Sequence, residues 1–439
     1  VIDLATFRTT LDGELFRPDS SGYDSVRRPV NPAYHDVRPR LVVLCRSVSD
    51  VVSAIEYATA TGTHVVPRGG GHCFAGRSST DGIVLDLAGI DGITVDHNGI
   101  AAIGAGARLG QMYAALHADS RTLPAGCGAS VGIAGLTLGG GIGLLGREYG
   151  LTCDRLVGAQ VVLADGSVVD CHDSREPDLF WALRGAGGGQ FGVVTSLRFD
   201  TVAEPVTTRV EAHCSDIAIE DLVAAWQVWA PNAPDEVTVN LTLVSEPGVP
   251  VSATLFGATT LAEGPTRDLL QELIGLAGVS STFASCPGLP YHQLKRTFAD
   301  PREQPGHAVR IRSEFFSHAL SDRTIASLLA RFGSGTRGRR EIAFTAMGGA
   351  YNRVPEDATA FAHRGEHFLL EHIADADDPW VDSSWSCAHA DGSGRVYPNF
   401  PDLALDDWST AYHAGNHPRL AAVKHSYDPH RFFDFPQAV

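Results

Sequence analysis

Lysine is nearly absent. Of 34 basic side chains only Lys295 and Lys424 are lysines, and arginine is used in their place in an alanine-rich chain, a usage that fits GC-rich coding. No stretch approaches the roughly 20 consecutive apolar residues that a bilayer-crossing helix requires. The opening residues V-I-D-L-A-T-F-R have neither the basic n-region nor the long apolar core of a secretory signal. Eight cysteines, at 45, 73, 127, 153, 171, 214, 286 and 387, form no C-x-x-C pair, so neither a zinc site nor a dense disulfide framework is indicated. The G-x-x-x-x-G-K-[ST] and H-E-x-x-H signatures are missing as well, which argues against P-loop hydrolases and zincins. Acidic side chains outnumber basic ones 51 to 34, for a net charge of −17, so nucleic acid and anionic lipid are poor partners. The expectation is a reduced, cytoplasmic enzyme with no nucleic-acid or membrane partner.

What the chain has in excess is glycine. Its 439 residues suit two domains or three small ones, and 44% hydrophobic residues suffice for a sizeable core. Forty-seven glycines are unevenly placed. Four runs hold many of them: R-G-G-G-H-C-F-A-G (68–76), G-A-G (104–106), G-I-A-G-L-T-L-G-G-G-I-G-L-L-G (132–146) and R-G-A-G-G-G-Q-F-G (184–192). Glycine weakens helix and strand interiors, so this density implies backbone brought close to a large ligand or held at positive φ.

Local patterns place these runs. Arg40–Cys45 reads as a strand and Ser47–Thr61 as a helix, with Ser47 and Asp50 in capping-box spacing. Val65–Val66 is the next strand and leads straight into the first glycine loop. Further strands are expected at Ile83–Leu87, Ile93–Val95, Ala101–Ile103 and Gly192–Phe199, with a hairpin turning at Asp165-Gly166. From about Thr201 the runs Val206–His213, Val237–Ser245, Val251–Thr259, Ala308–His318, Glu341–Tyr351 and His367–Ile373 read as strands. Helices fit at Asp221–Trp229, Gly264–Ala277 and Asp322–Phe332. The reading is α+β: a mixed first unit, then a mostly antiparallel sheet covered by helices.

The segments Gly141/Gly143/Gly146 and Gly187/Gly189/Gly192 match G-x-G-x-x-G. Neither leaves a parallel strand to open a helix, so a nicotinamide Rossmann site is not indicated. The informative segment is Arg68-Gly69-Gly70-Gly71-His72: three glycines after a strand present free backbone N–H groups suited to a pyrophosphate. A histidine directly after the loop would lie beside whatever the phosphate carries.

That loop resembles the flavin-attachment loop of the vanillyl-alcohol oxidase/p-cresol methylhydroxylase superfamily, specifically its berberine bridge enzyme-like branch. The resemblance extends through D-G-I-V-L-D-L (81–87), V-G-I-A-G-L-T-L-G-G-G-I-G (131–143), Y-G-L-T-C-D-R-L (149–156), V-V-L-A-D-G (161–166) and D-L-F-W-A-L-R-G-A-G-G-G-Q-F-G-V-V-T (178–195). It ends with V-Y-P-N-F-P-D (396–402) and Y-D-P-H-R-F-F-D-F-P-Q (427–437). The motifs stand in the family's order along essentially the whole chain, and the middle region resembles the family only loosely.

The resemblance implies a two-domain p-cresol methylhydroxylase-type FAD-binding fold. Its FAD-binding domain would span 1–203 and its substrate domain 204–390, with a segment 391–439 returning to the first. It implies FAD bonded covalently to His72, held in the loop of Arg68, Gly69, Gly70, Gly71, Cys73 and Gly76. Val131, Gly132, Gly135, Gly139, Gly140 and Gly141 would line flavin and diphosphate. Asp154 would sit near the ribityl or adenosine portion, and Gly192 and Val194 at adenine or ribose. Many relatives add a cysteine link to the flavin in a G-x-C-x-x-V-G pattern. Here Gly128 holds the thiol position and Cys127 stands one residue early, which favours a single attachment and a small buried thiol at 127.

Tyr397 and Asn399, the family's Y-x-N, would close over the isoalloxazine. Tyr397 is the expected base, provided that a cation or donor lowers its pKa. Glu371, Asp375 and Tyr351 are the other catalytic candidates, and His363-Arg364 is given a structural role. The activity implied is removal of hydride from a CH–OH group of a sugar or natural-product intermediate, with O₂ as acceptor and hydrogen peroxide as product. Two alternatives stay open: oxidative cyclisation or desaturation in secondary metabolism, and a flavin-bearing drug-binding or resistance protein. The partners implied are a small-molecule substrate and O₂, for a monomer or homodimer.

Overall fold

A computed structural model describes residues 3–214, 218–278, 283–298, 308–335 and 337–439. Val1 and Ile2 of the opening stretch lie outside them. The first sheet has four strands in the order Glu14–Phe16, Leu41–Leu44, Ile83–Asp86, Val65–Arg68. The last three run parallel, as a β-α-β start requires. The helix between them, Val48–Thr61, carries the capping box expected from its sequence. Asp50 is 0% exposed, and its carboxylate accepts from the backbone N–H groups of Asp12 (2.7 Å), Arg46 (2.7 Å) and Ser47 (3.1 Å). Replacing Asp50 with alanine would leave three backbone donors without this acceptor. We expect a loss of about 1–3 kcal/mol in denaturant unfolding; an unchanged midpoint would contradict that role.

The second sheet is antiparallel, in the order Ile93–Val95, Ile100–Gly104, Val193–Asp200, Leu156–Val162, Val168–Cys171. The long third sheet contains seven strands, in the order Ala284–Pro290, Val206–Cys214, Val249–Thr259, Val237–Glu246, Arg340–Ala346, Phe368–Asp375, Val309–Phe316. All its pairings are antiparallel. Successive strand residues point to opposite faces. Val239, Leu241, Leu243, Ile342, Phe344, Phe368 and Leu370 therefore pack on one side, under the helices Ile219–Trp229, Glu263–Ala277, Asp322–Phe332 and Trp380–His389. The residues between them face the first half of the chain.

The expected strand Glu341–Tyr351 ends early, at Ala346. Gly348 (φ 85°) and Gly349 (φ 58°) turn the backbone through the left-handed region, and Tyr351 enters a short 3₁₀ turn. The edge strand Ala284–Pro290 and the helices Tyr291–Arg296 and Trp380–His389 had no clear sequence signal. Arg147 ties the two halves together. Its fully buried guanidinium donates to the carbonyls of Pro231, Ala233, Val237 and Met347. The C-terminal residues Leu420, Val423, Phe433 and Val439 return to the core of the first two sheets.

Candidate active site

Between the glycine loops and the free face of the seven-stranded sheet lies a cavity of about 840 Å³. One wall is made of Gly69–Gly71, His72, Cys73, Val131, Gly132, Gly135, Gly187–Gly189, Gly192 and Val194. The opposite wall alternates along four neighbouring strands: Thr254 and Phe256; Thr238, Asn240, Thr242 and Val244; Glu341, Ala343 and Thr345; Leu369 and Glu371. Tyr397 and Asn399 enter from the returning C-terminal segment, and Phe433, Asp434 and Phe435 close the cavity against Arg77 and Pro67.

The first wall fits a long, flat, phosphorylated cofactor. A Cβ placed on Gly135 would meet nothing within 4 Å, although the residue lines the cavity, so backbone faces open space there. Gly70 and Gly132 pack so tightly that a Cβ on Gly70 would sit 2.2 Å from the Gly132 nitrogen, which holds the two glycine loops side by side. His72 Nε2 lies 2.9 Å from Ser130 Oγ, at the head of the second loop. Lys424, buried, donates to the Gln190 and Phe433 carbonyls and to Asp428, pinning the tail beneath the fourth glycine run.

Several expected cofactor residues do other work. Arg68 does not line the cavity; its buried guanidinium donates to the carbonyls of Val26, Arg27 and Ser78. Gly76 makes room for the Tyr34 ring, which would lie 2.4 Å from a Cβ there. Gly139, Gly140 and Gly141 also lie off the cavity. A Cβ on them would strike Asn399 Oδ1 (2.1 Å), the Phe361 ring (2.8 Å) and Thr152 Oγ1 (2.2 Å), so neighbouring protein atoms leave each no room for a side chain. Asp154 is bound by Arg364 through two short hydrogen bonds (2.7 and 2.9 Å) in a nearly buried pair and caps the Leu151 N–H. Removing one member of such a pair leaves a buried charge. We expect Asp154→Ala to cost about 3–5 kcal/mol in thermal unfolding while the folded fraction keeps its flavin; flavin loss without destabilisation would return Asp154 to the cofactor.

The catalytic candidates separate equally clearly. Tyr351 is off the cavity, its hydroxyl donating to the Gly143 carbonyl and accepting from the Gly143 N–H, and burial raises its pKa. Asp375 ends its strand beside Gly338, away from the cavity. Glu371 lines the cavity at 6% exposure, on the same face as Leu369. Tyr397 also lines it, but its oxygen is turned to the glycine segment, accepting from Gly141 N–H (3.0 Å), Ile142 N–H (3.2 Å) and Asn399 Nδ2 (2.9 Å). Burial pushes this phenol up to about 12, with those three donors pulling the other way. The donors foreseen for a tyrosine base are therefore present, yet the net shift opposes that role.

His363 is buried between Phe315 and Phe361 and drops to about 3, mainly through burial, as a structural residue would. Cys127 differs from the expected inert thiol. It lines the cavity, and its sulfur accepts from Lys295 Nζ at 3.2 Å. Sequence reasoning passed over Lys295, the tail Phe433–Phe435 and Gly187–Gly189. The tail lay in the family-like stretch 427–437 and the glycines in the run 184–192, whereas nothing along the chain pointed to Lys295 as a cavity neighbour.

Comparison with known proteins agrees with this geometry. The FAD binding domain family matches residues 39–172, and the berberine and berberine-like family matches 396–439. The FAD-linked oxidoreductase YgaK of Bacillus subtilis is 31% identical over 98% of both chains. The glucooligosaccharide oxidase of Sarocladium strictum is 30% identical, over 96% of this chain and 91% of its own. Among solved structures, Physcomitrella patens BBE-like 1 superposes with a TM-score of 0.90 at 25% identity, covering 100% of this chain and 99% of its own. A glucooligosaccharide oxidase from Acremonium strictum, described as carrying 6-S-cysteinyl, 8α-N1-histidyl FAD, gives 0.89 at 26% identity over 99% of this chain and 98% of its own. A glycine-walled cavity that fits a dinucleotide, on a fold shared across nearly the full length with these oxidoreductases, places the chain in the berberine bridge enzyme-like branch of the FAD-linked oxidases.

Proposed function

We propose that the protein oxidises CH–OH groups of saccharides or similarly hydroxylated natural products, with FAD tethered to His72 and Glu371 accepting the proton. The observation that carries this reading is the pairing of the two cavity walls, glycine backbone on one side and a polar strand face on the other. Gly69–Gly71, Gly132, Gly135 and Gly187–Gly189 would hold the cofactor, with the Phe433–Phe435 tail closing over it. Bound there, FAD supplies a two-electron acceptor for a hydride from carbon.

The remaining work falls to the chain's own groups. Thr238, Asn240, Thr242, Thr254 and Thr345 offer hydroxyl and amide groups that both donate and accept, the complement of a polyol. Phe256 adds an apolar surface for a ring. Glu371 stands on this face and takes the substrate's hydroxyl proton as the C–H bond weakens. Tyr397 and Asn399 hold the Gly141–Ile142 segment and so fix the cavity's inner end. The oligosaccharide oxidases among the relatives support a hydroxylated substrate, and O₂ as acceptor with peroxide as product follows the same likeness. The test is oxygen uptake and peroxide release with gluco- and chito-oligosaccharides. Oxidised sugar acid or lactone together with stoichiometric peroxide is the expected result; a yellow protein that consumes no oxygen with any saccharide would overturn the assignment.

A further inference from the structure

Lys295 stands out in a chain with two lysines. It is buried, yet its partners among the described residues are the Ala125 carbonyl (3.2 Å) and the Cys127 sulfur (3.2 Å) rather than a carboxylate. Tyr113 and Tyr291 flank the nitrogen, with ring centroids at 5.1 and 5.3 Å, and hold it in place. Cys127 faces the cavity, whereas Lys295 stays behind it. The cavity therefore gives an oxidant access to the sulfur, while the amine waits 3.2 Å away.

We propose that Cys127 and Lys295 form a redox pair that hydrogen peroxide joins into a reversible sulfur–nitrogen cross-link. In the first step peroxide takes two electrons from the thiol, and cysteine sulfenic acid and one water form. In the second the neutral lysine amine attacks that sulfur. The S–N bond forms as the S–O bond breaks, and the hydroxyl leaves as a second water with a proton from the amine. Burial lowers the Lys295 pKa, which favours the neutral amine this step needs.

The other cysteines lack this arrangement. Cys45, Cys153, Cys171 and Cys214 are buried, Cys73 and Cys387 are half-buried, and Cys286 is exposed on the strand Ala284–Pro290, which carries no lysine. Lys424 already donates to two carbonyls and Asp428. The link would tie the helix Tyr291–Arg296 to the loop that carries Ser130, the partner of His72.

The proposal takes from the oxidase reading only its source of peroxide, so peroxide is supplied directly. Purified holoprotein is treated with a small excess of hydrogen peroxide, alkylated, digested with chymotrypsin and mapped by mass spectrometry with and without dithiothreitol. The expected species joins the Cys127 and Lys295 peptides, is lighter than their sum by two hydrogens, and disappears on reduction. In Lys295→Arg, Cys127 should stop at a sulfenic acid that dimedone traps. Separate peptides, with Cys127 a free thiol, a sulfinic acid or bonded to flavin, would overturn the cross-link. So would a species heavier by one retained oxygen. An enzyme that makes no peroxide yet forms the link would refute only the oxidase reading.

Discussion

His72→Ala is expected to release all of the flavin on denaturation, whereas the unaltered protein should stay yellow and weigh one FAD more than its chain. His72 stands at the exit of the first glycine loop, 2.9 Å from Ser130 Oγ in the second. Its ring is thus fixed where the two loops pack together through Gly70 and Gly132. Cys127→Ala should leave the adduct intact, because in this geometry the Cys127 sulfur is held by Lys295. Intact mass after denaturation, read with a visible spectrum, decides the matter. If each single variant keeps the adduct, there are two attachment points and the single-link reading fails.

The second large effect concerns the proton acceptor. Glu371→Gln keeps the side chain's size and removes its basicity, so kcat on a saccharide should fall on the order of 10²–10⁴-fold, with flavin content unchanged. Tyr397→Phe should behave differently. It removes the acceptor of two backbone N–H groups and of the Asn399 amide, each left unmet at about 1–3 kcal/mol if it stays dry. Its main effect is therefore on unfolding, with a smaller fall in kcat. A folded Tyr397→Phe without activity, beside an active Glu371→Gln, would restore the phenol as base. The comparison is decisive because both residues line one cavity while only the tyrosine oxygen is turned to the glycine segment.

Much of this was legible along the chain. The capping box at Ser47 and Asp50, the Asp165-Gly166 hairpin and the alternating strands after Thr201 are local patterns, and local sterics and hydrogen bonding enforce them wherever the chain folds. The glycine runs announced a ligand because only glycine lets backbone approach so closely. Which glycines serve the ligand could not be read in the same way. Gly135 opens on the cavity, but Gly139, Gly140 and Gly141 yield to Asn399, Phe361 and Thr152, residues up to 260 positions away.

The sequence by itself therefore determined the family and the cofactor, since those depend on residues adjacent in the chain. Tertiary structure alone decided that Asp154 belongs to Arg364, that Tyr397 turns to backbone donors, and that Glu371 faces the cavity. It alone brought Lys295 to Cys127, 168 residues apart. The reason is physical: a side chain's role depends on burial and on partners supplied by distant elements, and neither is encoded in the few residues on either side of it.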